Sequence, residues 1–419
     1  MKMLISTCLL ISLNTLTAYG DAPINWSRWR GQNGNSVSDE TGWNPRKLMP
    51  EPEIVWRANV GHGYSSLCIQ GKHLYTMGNT DKKDTVYCLL VDGGEKVWDH
   101  TYSCKPGSYA GPRATPVYSD NYVYTVSREG QLFCLEAATG NVKWQRHLAE
   151  DANAKIPTWG IASSAIIEGE LLLLNIGQYG LALKKDTGKI VWQSPKDLCG
   201  YASPVLYDSG DRRCMVAFGQ RAAYGVGVKT GELLWTKSWR TRLDENSADP
   251  VVIGSGVFIS SIYSKGCVLF DVTDNKPADI WQNENLSNKF STSVFYKGHL
   301  YGVHGNTIKR KGNAWDRGRQ KGALACLDFE TGKLLWEYGV GIASVIIVDG
   351  KLIVLNEKGM LFIAEATSSG YREIAKAQVL ERGDDSREAK GKCWTAPILC
   401  RGKIYCRNDG GEIVCINMN

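Results

Sequence analysis

KKDTGKIVWQS, residues 184–194, decides the fold: a pair of lysines, a turn of Asp186, Thr187 and Gly188, and a short strand that reaches Trp192. The chain repeats it. ATGNVKW fills residues 138–144, KTGELLW 229–235 and ETGKLLW 330–336, with a looser DGGEKVW at 92–98. The close copies place a turn glycine and a strand tryptophan at Gly140 and Trp144, Gly188 and Trp192, Gly231 and Trp235, and Gly332 and Trp336. Glycine takes the positive φ that a tight turn demands, and the threonine before it can hydrogen-bond the turn backbone. Strand alternation then sets the tryptophan on one face, where a flat ring can wedge between neighbouring units and contribute about 2 to 3 kcal/mol of burial per copy. Repeated copies cannot all be one active site, so the motif reads as structure.

The tryptophans Trp56, Trp98, Trp144, Trp192, Trp235, Trp281 and Trp336 lie 42 to 55 residues apart. Such a period with four short strands per unit predicts a β-propeller. The unit is plainest in residues 113–144, RATPVYSDNYVYTVSREGQLFCLEAATGNVKW, which reads as inner strand, turn, second strand, turn, third strand and outer strand. Related openings at residues 65, 162, 202, 248, 291, 343 and 395 bring the number of blades to eight. The last copy ends at VCINMN without an outer strand, whereas PEIVW at 52–56 is a spare one. The expected fold is therefore all-β: an eight-bladed propeller over residues 52–419, closed by the N-terminal strand pairing with the C-terminal blade so that no sheet edge is left between them.

Composition agrees. Of 419 residues 43% are hydrophobic, glycine, tryptophan and tyrosine are abundant, and the +6 formal charge is spread along the chain, which disfavours a nucleic-acid partner. Residues 1–20, with Lys2, an apolar run and the small residues Ala18 and Gly20, read as a secretory signal, too short to span a bilayer. A periplasmic or extracellular protein, monomeric and without a transmembrane segment, is expected. Thirteen cysteines in an exported chain invite disulfides, but Cys88, Cys134, Cys326 and Cys415 repeat in phase and read as small core residues. Cys104, Cys199 and Cys393, in loops, are the better candidates for reactive or paired thiols.

In a propeller the loops leading into the inner strands line the mouth of the central channel. Those positions hold His62, Tyr64, Arg113, Trp159, Tyr201, Asp249, Lys289 and Trp394. Tyr64, Arg113, Trp159, Tyr201, Asp249, Lys289 and Trp394 form the candidate ligand-binding set, a mixture suited to a planar or anionic ligand. Alternatively the rings plug the channel and Arg113 pairs with Asp249. Asp244, Glu245 and Asp249 lack the spacing of a calcium loop and read as a solvated stretch, so no metal site is assigned. Residues 306–322 form a basic insertion expected to overhang the same face. Residues 21–51, with Trp26, Trp29 and Trp43, do not repeat and are expected to dock along the outside of the ring.

The TG-x-x-x-W blades resemble the PQQ-like repeat of quinoprotein alcohol dehydrogenases and of the BamB-type propeller of outer-membrane assembly. The resemblance extends over nearly all of the mature chain and includes WRGQNGNSVS (29–38), YGVHG (301–305), KLIVLNEKG (351–359) and KCWTAPIL (392–399). It implies the propeller fold, and either of two functions. One is a non-catalytic envelope protein that binds a partner protein or small ligand on its funnel face. The other is a PQQ-dependent dehydrogenase with Arg113, Trp159 and Asp249 around the quinone and calcium as its cation. Quinoprotein dehydrogenases also use adjacent paired cysteines, and the quinohaem forms a C-x-x-C-H motif; neither is present. A carbohydrate-binding propeller that uses Trp159 and Trp394 is a third alternative.

Overall fold

A computed structural model describes residues 24–263, 265–304, 310–311, 314–315, 322–381 and 392–419. The chain forms eight antiparallel blades in sequence order. Blade 2 is representative, with Val117–Ser119, Tyr122–Val126, Gln131–Glu136 and Val142–His147 paired from first to last. First strands of adjacent blades approach one another around the axis, as Cys68–Gln70 does Val117–Ser119 and Val251–Ile253 does Val205–Ser209. The eighth blade takes Ile54–Asn59 as its outer strand, antiparallel to Glu412–Asn417. The seventh carries a fifth strand, Val37–Ser38, parallel to Ala343–Val348. The secretory signal and most of the basic insertion lie outside the described residues.

Each outer strand carries a bulge at the residue before its wedge position. Val142 pairs with Leu135 and Trp144 with Cys134, skipping Lys143; Trp192, Trp235, Trp281 and Trp336 follow the same pattern opposite Ala182, Gly225, Leu269 and Cys326. The phased cysteines thus sit opposite an indole. In blades 1, 2, 6 and 8 a tyrosine completes the row: Tyr75–Cys88–Trp98, Tyr124–Cys134–Trp144, Tyr301–Cys326–Trp336 and Tyr405–Cys415–Trp56, with tyrosine and tryptophan centroids 5.9–6.1 Å apart. A thiol fits there because the rings on both sides fill the volume.

The wedge acts between blades. Trp98 donates its indole N–H to Ala137 O, Trp144 to Lys185 O and Trp192 to Val228 O, in each case a carbonyl of the next blade, at 2.8–3.0 Å. The ring lies on the next blade's turn glycine: a Cβ on Gly140, Gly188 or Gly231 would stand 2.6–2.7 Å from Trp98, Trp144 or Trp192. Glycine is required there twice, for positive φ and for the ring above it. Blade 5 tests the logic, since its corresponding turn, Thr273–Asn275, has no glycine, and Trp235 instead donates to Tyr207 Oη within its own blade at 2.8 Å.

Pro45–Leu48 packs against Glu373–Gln378, the outer strand of blade 7, as expected of a segment on the outside of the ring, but residues 24–38 do not run there. Trp26 exchanges backbone bonds with Ile69 in the first strand of blade 1, Ser27 O accepts from Tyr118 N–H in blade 2, and Trp29 and Arg30 reach Asp249 in blade 5. Blades 1 and 5 face each other across an eight-membered ring, so the segment crosses the axis and plugs the channel. The loop cysteines also differ from expectation: Cys104, Cys199 and Cys393 are buried, and burial pushes the thiols of Cys104 and Cys199 up to about 12. Thiols in that state are poor nucleophiles at neutral pH.

Candidate functional site

A collar of side chains at the starts of the first strands links blade to blade. Ser66 N–H donates to Thr115 Oγ1 (3.2 Å), Thr115 N–H to Ser164 Oγ (2.9 Å) and Ser164 N–H to Ser203 Oγ (2.9 Å). Ser203 N–H continues to Asp249 Oδ1 (2.7 Å) and Asp249 N–H to Thr292 Oγ1 (2.9 Å). Asp249 occupies a collar position where the neighbouring blades have serine or threonine. Its second oxygen points to the plug, accepting from Trp29 Nε1 at 2.6 Å and lying 3.7 Å from Arg30 Nη1. Burial raises its pKa, opposed by Arg30, the Ser203 N–H and the Trp29 indole.

Above the plug the channel opens into a cavity of about 260 Å³. All seven predicted residues line it: Tyr64, Arg113, Trp159, Tyr201, Asp249, Lys289 and Trp394. His62 does not; its backbone pairs with Asn79. One wall gathers around Trp394, with Tyr64 stacked at 5.6 Å, Phe290 at 4.6 Å and Tyr109 at 6.0 Å. The other holds Trp159 against Tyr201 at 5.6 Å. The rings form walls and leave the funnel above the plug open.

Arg113 does not pair with Asp249. Its guanidinium donates to the carbonyls of Gly111, Ser108 and Tyr109 and lies 5.8 Å from the Tyr64 ring centre, so it ties the loop down while keeping its charge at the cavity. Burial lowers its pKa to about 10, with the like charge of Arg128 adding to the effect. Lys289 Nζ rests 5.2 Å from the Phe290 ring and 5.0 Å from that of Trp394. Burial lowers its pKa, Glu245 and Glu357 oppose this, and Lys392 reinforces it. Glu245 accepts from Tyr263 Oη at 2.8 Å, and Asp244 pairs with Arg221.

Trp29, Tyr109, Tyr263 and Phe290 were not predicted. Phe290 directly follows Lys289 at the same strand entry, so its place was legible from the repeat phase. Tyr109 and Tyr263 lie in loops away from the strand starts, and Trp29 arrives from outside the repeat, where phase gives no information.

The residues do not fit the calcium of the dehydrogenases. Calcium takes about six to eight oxygen ligands, and among the described residues no three His, Cys, Asp or Glu side chains gather as a metal group. Both oxygens of Asp249 are committed to the collar and the plug, which leaves it unsuited as a base or ligand.

Comparison with known proteins gives two kinds of likeness. Over 404 residues the chain is 22% identical to the outer membrane protein assembly factor BamB of Yersinia pestis, covering 91% of this chain and 84% of that one. To BamB of Escherichia coli it is 21% identical over 400 residues, with 92% and 84% covered. The BamB crystal structure from Moraxella catarrhalis superposes with a TM-score of 0.62 at 15% identity, covering 87% of this chain and 99% of that one. A quinohemoprotein alcohol dehydrogenase from Comamonas testosteroni superposes at 0.69 with 11% identity, over 94% and 80%. At such identities these superpositions speak for the propeller fold alone. The family model described as outer membrane protein assembly factor BamB matches residues 82–318, more than half of the sequence, and the chain belongs to that family.

Proposed function

We propose that this chain is a non-catalytic propeller of the cell envelope that binds a small anionic ligand in its funnel. The observation that carries the reading is the convergence of loops from different blades on one open cavity, with the cations Arg113 and Lys289 set among aromatic walls. The repeat makes the blades alike, yet these loops differ from copy to copy. Family membership supports the envelope location, because its named members are outer membrane assembly factors, and the apolar N-terminal run supports export. The commitment of Asp249 to Trp29, Arg30 and Ser203 argues against the dehydrogenase alternative.

The test is native mass spectrometry of the mature chain with a pool of sugar acids, aromatic acids and dicarboxylates. The expected result is a single one-to-one adduct that Arg113→Ala and Trp394→Ala both lose. An adduct that survives both substitutions would contradict the reading, as would dye-linked alcohol oxidation after incubation with PQQ and Ca²⁺.

A further inference from the structure

We infer that the ligand is an acidic sugar: one uronic acid ring held by its carboxylate. This rests on the funnel being the binding site. The shape of the walls comes first. Trp159 and Tyr201 are inclined by 57° and Phe290 and Trp394 by 38°, and with Tyr64 nearer to parallel with Trp394, at 25°, the rings form a cup with one flatter side. A flat aromatic ligand packs best against parallel or edge-on rings. A puckered sugar, with C–H groups pointing several ways, matches inclined rings.

Charge narrows the choice. The Arg113 guanidinium is held by carbonyl oxygens and the Lys289 ammonium by ring faces, so both present their charge to the cavity. A carboxylate is a group that a guanidinium or an ammonium of this kind receives. Glu245, on the same cavity, accepts hydroxyl protons and repels a second carboxylate. One carboxylate on a hydroxylated ring suits a cavity lined by Arg113, Lys289 and Glu245. The cavity, about 260 Å³, is close to the roughly 300 Å³ at which pockets for drug-sized ligands begin, which gives room for about one ring below its mouth.

Titration calorimetry of the mature chain with methyl glucuronide, methyl galacturonide, methyl glucoside and benzoate tests the assignment. At least one uronide should bind tenfold or more tightly than the glucoside and the benzoate. Arg113→Met should remove that preference. Because Arg113 also holds its own loop, Lys289→Met, which frees no backbone group, is the second variant and should weaken uronide binding by a similar factor. Equal binding of glucoside and uronide, a preference for benzoate, or uronide binding unchanged in Lys289→Met would overturn the assignment. If the mass spectrometer retains an acid other than a uronide and Arg113→Ala loses it, the sugar fails while the funnel reading stands.

Discussion

Lys289 shows how a single side chain can be placed by sequence and still surprise in its chemistry. Its position before an inner strand put it at the channel mouth, but only the structure shows the ammonium resting on Phe290 and Trp394. Burial favours the neutral amine, so its pKa lies below the ordinary 10.5. An anionic ligand binds the protonated form. Affinity should therefore be full below that lowered pKa and fall as pH rises through it, at a pH where an exposed lysine would still be charged. Calorimetric titration across pH 6 to 10 reads this directly, and Lys289→Arg should shift the decline to higher pH. Asp249 was legible in a different way. The openings ATP, ASP and ADP mark it as the carboxylate in a row of hydroxyls, but its partners Trp29 and Arg30 come from a segment without repeat phase.

At the scale of the hairpin, the sequence carried nearly everything, because the same solution is written several times. Glycine in the turn and tryptophan in the strand were readable as separate facts; their contact across the blade boundary was not, since a single copy cannot reveal which neighbour it meets. The bulge before each tryptophan was also hidden, because an extra residue in a strand leaves no mark in a short motif. The contact predicts a difference between two glycines. Gly188 and Gly169 both have positive φ, at 67° and 56°, but a Cβ at Gly188 stands 2.7 Å from Trp144 while one at Gly169 meets nothing within 4 Å. Gly169→Ala should cost about 1 kcal/mol from backbone strain alone. Gly188→Ala should cost about 1 to 3 kcal/mol more, from overpacking against the indole. Denaturant unfolding of both variants checks it; equal losses would mean that the ring is not the constraint.

Across the whole molecule the ring is closed twice over. Ile54–Asn59 completes the eighth blade, and the buried Arg407 of that blade donates to Ser65 O at 2.6 Å and Thr76 Oγ1 at 2.8 Å in the first. The spare strand was visible in the sequence because the last copy is one strand short. The plug was not, as nothing in residues 24–51 says which side of the ring they take. Yet the plug converts a channel into a blind funnel, with Trp29 beneath the cavity and a second, smaller crevice on the far side of it beside Arg28 and Arg213. A ligand of the funnel can therefore enter from one face only. The most direct test is a crystal structure of the mature chain grown with the acid that the mass spectrometer retains. The account predicts density inside the funnel, with the anionic group against Arg113 and Lys289 and the ring between Trp159 and Trp394. Density in the crevice below Trp29 or on the outer rim, with the funnel empty, would contradict it.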